Sequence, residues 1–168
     1  MAQLAAFNLK AWIDEHRHLL KPPVGNALIW NSDFMVMVVG GPNQRTDFHV
    51  NPGEELYYQV EGDIVLKVRD GEQVRDIPIR QGDIFLLPAN VPHSPQRPAN
   101  TVGLVIEIRR AEKELDYMRW YCENCGAVVH EASLHSVDLA KQLKPIIEEF
   151  KSRPELRTCK ACHTVMEA

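Results

Sequence analysis

The chain has 168 residues, a formal net charge of −4, and a composition that is 45% hydrophobic and 25% charged, as in ordinary globular proteins. No segment concentrates Lys or Arg, which argues against nucleic acid or a membrane surface as the main partner. No run approaches the roughly 20 apolar residues that span a bilayer. The first residues lack the basic start and apolar run of a signal peptide, so we expect a cytoplasmic protein.

The first predicted elements are a helix and a series of short strands. Residues 8–20 place apolar side chains near a helical period, with Asn8 as a candidate N-cap and two prolines after the last turn. From 27 to 109 short β-type runs alternate with turn residues, including the hairpin signal Asp70-Gly71, which is typical of a sandwich or barrel. The predicted strands are 27–30, 34–39, 56–60, 64–68, 74–77, 84–87 and 102–108.

The character of the chain changes after the last predicted strand. A charged linker is expected first, and residues 138–151 then show one apolar helical face, which Pro145 is expected to kink or to shorten at its start. The sequence therefore predicts two parts. Residues 1–110 hold the strands and the first helix, and residues 111–168 hold a helical segment with a metal site.

That metal site is predicted from four cysteines in two Cys-x-x-Cys pairs. Each pair lets two thiolates bind one metal, and two pairs complete a tetrahedral sulfur site that suits zinc and iron equally. Thioredoxin-like redox chemistry is the weaker alternative because no βαβ pattern surrounds the pairs, and disulfides are not expected in a cytoplasmic protein. The cysteines are Cys122, Cys125, Cys159 and Cys162, and the nearby His130, His135 and His163 are expected to lie outside the shell.

Two spaced motifs lie within the strand-rich part. The first covers residues 41–62 and contains His49 and Glu55; the second covers residues 82–93 and ends in His93. Together they resemble the two halves of the cupin signature, which places metal ligands on facing strands inside a barrel. The resemblance predicts a metal site formed by these two imidazoles and one carboxylate.

One departure from the usual cupin pattern narrows the choice of metal ion. The second His, expected two residues after His49, is Asn51 in this chain. Two His and one carboxylate form the facial triad that suits non-haem Fe(II) and leaves coordination positions open. Glu54 competes with Glu55, but successive strand residues face opposite sides, and both the even step from His49 and the cupin spacing select Glu55.

Three further charged residues lie close to these ligands in sequence. Arg45 precedes His49 by four residues, Arg97 follows His93 by four, and Glu107 interrupts the last apolar strand, where a charge is costly unless it is paired or useful. Solvated positions on the barrel rim would explain the arginines, and a buried salt bridge to one of them would explain Glu107. Two guanidiniums beside open metal positions fit an anionic substrate better, since the planar fork matches a carboxylate.

Longer motifs make the resemblance specific. Residues 21–26, 39–47, 85–88, 92–97 and 120–122 closely resemble the 3-hydroxyanthranilate 3,4-dioxygenase family of the cupin superfamily, and the likeness extends over nearly the whole chain, including a rubredoxin-like tail with four cysteines. It implies a mainly β fold, with one jelly-roll cupin barrel, flanking helices and a small C-terminal tail that holds a metal with its four cysteines.

The resemblance also implies a set of functional residues. Asn26 would lie on a loop that closes over the site, Asp47 would orient a neighbour, and Glu107 would contact the substrate's hydroxyl or amino group. The implied Fe(II) ligands are His49, Glu55 and His93, the implied catalytic residues are Arg45, Glu55, Arg97 and Glu107, and the same four with Asn26 are implied to bind substrate.

The implied reaction is the ring cleavage of 3-hydroxyanthranilate by O2 to 2-amino-3-carboxymuconate semialdehyde, which cyclises without an enzyme to quinolinate. The setting would be the kynurenine route to NAD or an aromatic degradation pathway, and the implied assembly is a homodimer. Two rivals remain open: a metal-binding cupin that senses or binds a ligand without catalysis, and a zinc-ribbon regulator that contacts nucleic acid. The acidic charge balance weakens the second, and the open triad with two arginines weakens the first.

Overall fold

The computed structural model describes residues 5–21, 25–43, 45–137 and 139–167. This part of the chain contains eleven strands in two antiparallel sheets, with one helix before them and two after them. The strands are β1 Asn26–Asn31, β2 Phe34–Gly40, β3 Phe48–Val50, β4 Glu55–Glu61, β5 Ile64–Asp70, β6 Gln73–Ile79, β7 Ile84–Leu87, β8 His93–Gln96, β9 Val102–Ile108, β10 Asp116–Tyr121 and β11 Val128–Leu134; the helices are α1 Leu9–His16, α2 Leu139–Ser152 and α3 Pro154–Arg157.

The two sheets face each other across one interior. The five-stranded sheet has the order β1-β2-β9-β4-β7, and the six-stranded sheet has the order β11-β10-β3-β8-β5-β6. Sequence neighbours are often separated by other strands in this order, as in a jelly roll. The interior is filled by apolar side chains from both sheets, among them Tyr57, Leu66, Val105 and Met118. The predicted mainly β jelly roll with flanking helices is confirmed.

Local signals explain the first helix and one hairpin. The Asn8 side chain accepts a hydrogen bond from the Ala11 amide at 3.0 Å, which confirms it as the N-cap of α1. A 3₁₀ turn, Arg17–Leu20, continues the helix to the predicted end. The turn between β5 and β6 contains Gly71 with φ +61°, a conformation that glycine adopts without a steric cost.

The seven predicted strands are all present, and those at 84–87 and 102–108 have the predicted bounds. Four strands, β3, β8, β10 and β11, were not predicted. The predicted charged linker is wrong from residue 116 onward, because β10 pairs with β3 through Met118 and His49 and extends the six-stranded sheet. The division of the chain into residues 1–110 and 111–168 stays a prediction.

The C-terminal helix packs on the strands beyond residue 110. Helix α2 runs through Pro145, and Phe150 near its end stacks on Trp120 of β10 with ring centroids 4.2 Å apart. Both rings are fully buried, and this contact offsets the backbone hydrogen bond that Pro145 removes. The prediction for this helix began at residue 138, which lies outside the described residues. No described helix is long and apolar enough to cross a membrane.

Candidate active site

The three predicted ligands meet in the interior between the two sheets. His49 on β3 and His93 on β8 are direct cross-strand partners in the six-stranded sheet. Glu55 begins β4 in the opposite sheet, and its Oε1 lies 3.4 Å from His49 Nδ1 and 3.3 Å from His93 Nε2. All three side chains are buried, whereas the competing Glu54 is exposed. The structure therefore places Glu55 and not Glu54 beside the two imidazoles, although the even step from His49 does not explain it, because β3 and β4 belong to different sheets.

These distances fit a single metal ion. A divalent first-row metal lies about 2.1 Å from nitrogen and oxygen ligands, so two ligands of one ion are about 3.0 to 3.4 Å apart. The two Glu55–His separations match that range, and the three ligand atoms all lie within 4.8 Å of one another. Three protein ligands on one side leave the other coordination positions free, as the facial triad requires.

Hydrogen bonds set the orientation of both imidazoles. His93 Nδ1 donates to the Val91 carbonyl oxygen at 3.0 Å, which leaves Nε2 free to face Glu55. His49 Nε2 donates to Asp116 Oδ2 at 2.8 Å, which leaves Nδ1 free on the other side of the ring. Each acceptor is an oxygen without a proton, so it selects the tautomer that a metal ligand needs.

The carboxylate ligand is also held on both oxygens. Asn51, which replaces the second cupin His, donates from Nδ2 to Glu55 Oε1, and the Tyr57 hydroxyl donates to Oε2 at 2.6 Å. Burial raises the pKa of Tyr57 well above its usual value, and the charge of Glu55 adds to this, so Tyr57 keeps its proton as a donor. The departure at residue 51 thus converts a ligand position into a support for the carboxylate.

The two arginines of the site differ in their partners. Arg45 donates to Asp47 through Nε at 3.1 Å and through Nη2, which identifies Arg45 as the neighbour that Asp47 orients. The described residues offer Arg97 no carboxylate: its Nη1 lies 3.5 Å from Gln59 Oε1, and its buried Nε has no partner. Burial lowers the pKa of Arg97 to about 10, with a smaller contribution from the charge of Arg45.

Glu107 is buried and forms a salt bridge, but not with either of the two arginines predicted as its partners. Its Oε2 accepts a hydrogen bond from Arg110 Nη2 at 2.6 Å, so the salt bridge is made to Arg110 and not to Arg45 or Arg97. Burial, followed by the charge of Glu55, raises the pKa of Glu107 to about 7. No local signal in the sequence predicts that Arg110 is buried, because it follows a strand as the second of two adjacent arginines, a pattern typical of the surface.

A cavity joins these groups to the remaining predicted residue, Asn26, which begins β1 opposite Val39 and does not lie on a loop as predicted. The Asn26 Oδ1 atom is buried and lacks a hydrogen-bond partner, as does Arg97 Nε, so two unsatisfied polar atoms lie in one cavity wall. Buried polar atoms usually have partners, so these two atoms are open to a polar ligand in the cavity. Leu143 of α2 also lines the cavity, although the sequence assigned it only to a helical apolar face. The lining residues are Asn26, Met37, Val39, Asn43, Arg45, His49, Glu55, Tyr57, His93, Pro95, Arg97, Val105, Glu107 and Leu143.

The four cysteines form a second, separate cluster. The Sγ atoms of Cys122 and Cys162 are 3.5 Å apart, those of Cys125 and Cys159 are 3.6 Å apart, and all four lie within 4.8 Å of one another. Four sulfurs at about 2.3 Å from one metal would be about 3.8 Å apart, so the cluster fits a tetrahedral ion.

The two cysteine pairs share one backbone geometry. The amide of the fourth residue after the first Cys donates to that Cys carbonyl, from Gly126 at 2.8 Å and from His163 at 2.9 Å, and both donors have positive φ. The His163 side chain is exposed, so the role of this residue in the tail is the backbone turn that it forms. No histidine joins the sulfur cluster among the described residues.

Comparisons with known proteins identify the family of the chain. A family model described as 3-hydroxyanthranilic acid dioxygenase matches residues 1–151. A 3-hydroxyanthranilate 3,4-dioxygenase of Jannaschia sp. (strain CCS1) is 56% identical over 167 residues, covering 98% of this chain and 93% of that protein. One of Neurospora crassa is 54% identical over 155 residues, covering 92% and 86%. Among solved structures, a cupin-2 domain containing protein of Shewanella frigidimarina has a TM-score of 0.48 at 18% identity, covering 58% of this chain and 92% of that chain.

The family match and the identities extend over nearly the full length, including the strands that carry both imidazoles and the carboxylate. The chain belongs to the 3-hydroxyanthranilic acid dioxygenase family.

Proposed function

We propose that this protein is a 3-hydroxyanthranilate 3,4-dioxygenase that uses Fe(II) held by His49, Glu55 and His93. The observation that carries the proposal is one buried cavity that combines an open three-ligand site with an unpaired guanidinium. Family membership supplies the substrate, and the cavity supplies groups that suit each part of it. When bound, Fe(II) supplies a template and an electron conduit between an aromatic ring and dioxygen.

The carboxylate of the substrate is proposed to pair with Arg97. This guanidinium is buried, has a free Nε, and has no carboxylate partner among the described residues, so an anionic ligand would satisfy both its charge and its hydrogen bonds. Arg45 lines the same cavity and is held in place by Asp47, which suits it to a fixed second contact. A neutral aromatic ligand would leave Arg97 unpaired.

The hydroxyl and amino groups are proposed to lie towards the metal ligands and Glu107. The Glu107 carboxylate lines the cavity and can accept a proton or a hydrogen bond from either group. Met37, Val105 and Leu143 supply apolar walls that exclude water around the ring. Both atoms of one O2 enter the product, 2-amino-3-carboxymuconate semialdehyde, which closes to quinolinate without the enzyme.

We also propose that the cysteine cluster holds a structural iron or zinc ion. Four thiolates complete a tetrahedral shell and leave no position for a substrate. The cluster joins the turn after β10 to the C-terminal residues, so its metal would fix the tail that carries α2 against the strands. Free thiols arranged for a metal suit a reducing compartment, which supports a cytoplasmic location.

A homodimer is proposed to form through the outer surface of the five-stranded sheet. Apolar side chains meet there across three strand pairings, and five of them are 40–67% exposed. At roughly 100 Å² each, two copies would cover about 1,000 Å² of apolar surface, close to the lower limit for stable interfaces. The face carries no charge that would select a different partner, and a second copy is self-complementary to it. This outer apolar face consists of Phe34, Val36, Leu56, Tyr58, Ile84, Leu86, Ile106 and Ile108.

Sedimentation of matched variants tests the dimer. Ile84→Lys places a charge at the most exposed position of the outer apolar face and should give a monomer. Val74→Lys makes the same change at a 47% exposed valine on β6 of the other sheet and should leave the mass unchanged. A wild-type protein that sediments as a monomer at micromolar concentration refutes the interface.

One assay tests the enzymatic proposal. The full-length protein is reconstituted anaerobically with Fe(II), given 3-hydroxyanthranilate, and then exposed to air while oxygen uptake and the semialdehyde absorbance are followed. We expect one O2 consumed per substrate and no reaction with zinc in place of iron. Binding of 3-hydroxyanthranilate without oxygen uptake would favour the ligand-sensing alternative instead.

A further inference from the structure

A buried network of hydrogen-bonded charged groups, the charge network, connects the metal ligand His49 to Glu107. His49 Nε2 contacts Asp116 Oδ2 at 2.8 Å, Asp116 Oδ1 accepts from Arg110 Nε at 2.5 Å, and Arg110 Nη2 donates to Glu107 Oε2 at 2.6 Å. The side chains of Arg110, Asp116 and Glu107 are each at most 2% exposed. Arg110 therefore sits between two carboxylates with its Nη2 bonded to both.

The charge network connects the two sheets beneath the cavity. Asp116 is the first residue of β10 in the six-stranded sheet, whose register places Met118 opposite His49. Glu107 belongs to β9 in the five-stranded sheet, where it lies opposite Glu55. Arg110 follows β9 and is also fixed by a bond to a third partner, from Nη1 to the Ile108 carbonyl oxygen at 2.7 Å. A rigid fork of this kind holds both carboxylates at defined positions.

Each end of the charge network leaves one side-chain atom free to face the active site. At one end, the bond to Asp116 uses Nε2 of His49 and leaves Nδ1 directed towards Glu55. At the other end, Arg110 uses Oε2 of Glu107, and Oε1 makes no hydrogen bond to any described residue while Glu107 lines the cavity. The partners that orient a metal ligand normally tune metal affinity by about 10- to 100-fold.

We propose that Asp116 and Arg110 are positioning residues: Asp116 orients His49 for the metal, and Arg110 orients the Glu107 oxygen that meets the substrate. The Asp116 half needs only a metal at the triad, whereas the Arg110 half rests on the proposed function. The two halves make different predictions. Loss of the Asp116 carboxylate acts on metal affinity, and loss of the Arg110 fork acts on substrate binding.

The test uses the full-length protein without turnover. Fe(II) is titrated anaerobically in the presence of nitric oxide, whose high-spin iron adduct reports the site with open positions and has a signal distinct from that of the dinitrosyl adduct of iron thiolates. Asp116→Asn keeps the size of the side chain but leaves one acceptor oxygen for three donor groups, one on His49 and two on Arg110. We expect it to weaken Fe(II) binding about 10- to 100-fold and to change the adduct's signal, whereas the exposed-site control Glu112→Gln should match the wild type.

The second arm adds 3-hydroxyanthranilate to the same iron adduct and records the change in signal. Arg110→Lys keeps the charge and loses the fork. The bond that orients His49 is made by Asp116 itself, so Fe(II) affinity should stay within about threefold while the substrate requirement rises about tenfold. Arg109→Lys, at the exposed neighbouring position, is the matched control and should have no effect.

The outcomes separate the two proposals. Wild-type Fe(II) affinity and signal in the Asp116→Asn protein would overturn the role of Asp116, whatever the substrate is. An unchanged substrate requirement in Arg110→Lys would overturn the role of Arg110. If the wild-type signal does not respond to 3-hydroxyanthranilate, the proposed function fails and the Arg110 role with it, while the Fe(II) titration still decides Asp116. If Asp116→Asn does not fold, the affinity shift is measured in Asp116→Glu, which keeps the charge and moves the carboxylate, and wild-type affinity there overturns the role.

Discussion

Replacing Arg97 by Met should stabilise the protein and at the same time impair substrate use. Arg97 is a buried cation without a carboxylate partner among the described residues, and its contact with Gln59 is long, at 3.5 Å. A methionine keeps most of the volume of the side chain and removes the charge. The bond from the Arg97 main-chain amide to Asn43 Oδ1, at 2.7 Å, survives the change, so the local backbone should be retained.

The magnitude follows from the pKa of the guanidinium. Burial lowers this pKa to about 10, from an ordinary value of about 12.5, and at 1.36 kcal/mol per unit this corresponds to about 3 kcal/mol against the charged form. At neutral pH Arg97 is protonated both folded and unfolded, so the full cost falls on the folded state. Lost packing offsets part of it. We expect a net gain of about 1–2 kcal/mol, or a melting temperature higher by about 2–8 °C.

Substrate use should change in the opposite direction. A charge-assisted pair to a carboxylate contributes about 1.5–3 kcal/mol, so kcat/KM should fall about 10- to 100-fold, mainly through KM. Arg97→Lys keeps the charge and should show no gain in stability. Arg80→Met removes an exposed arginine and should change neither quantity. Calorimetry and steady-state oxygen uptake give both values, and a lower melting temperature with unchanged kcat/KM would show that Arg97 is structural.

Three further changes test the two metal sites and the cavity wall. His93→Ala should remove the barrel metal and all turnover from a folded protein, and full activity with one metal fewer per chain would refute the triad. Cys159→Ser should release the thiolate-bound metal and lower the melting temperature, with specific activity per barrel-bound iron retained; a collapse of that value would implicate the tail in catalysis. Leu143→Ala should raise KM severalfold at normal metal content by opening the apolar cavity wall, and unchanged kinetics would refute its contact with substrate.

Strands with strong local patterns were predictable, and the strands that carry the imidazoles were not. β9 is a run of apolar residues between turns, and its bounds were predicted correctly. β3 has three residues and β8 has four, with His, Ser, Pro and Gln in the latter, so neither shows a period. Their pairing with neighbouring strands defines them. The His49 and His93 assignments came from motif spacing, which does not depend on recognising a strand.

The residues missed in the site have partners distant in sequence. Asp116 contacts His49 across 67 positions, whereas its local sequence predicts part of a charged linker. In the structure Asp116, Met118 and Trp120 alternate with less buried residues, but the sequence Asp-Tyr-Met-Arg-Trp-Tyr does not alternate between polar and apolar residues. A buried carboxylate at the first of these positions implies a buried partner. The sequence does not indicate which cation supplies it.

The charges around the cavity explain why an anion should bind there. Arg45 with Asp47 is neutral, and above neutral pH Arg110 with its two carboxylates carries one net negative charge.

The metal and Arg97 contribute the remaining charges, and both are positive. Glu55 with a divalent metal would carry one net positive charge, and Arg97 adds another. With the negative charge of the Arg110 group, the described groups would sum to one net positive charge in a buried space. A monoanion such as a carboxylate would cancel it, whereas a neutral ligand would leave a buried charge unpaired, which is costly. The carboxylate requirement therefore follows from the whole group of charges, with Arg97 as the position where the missing anion belongs.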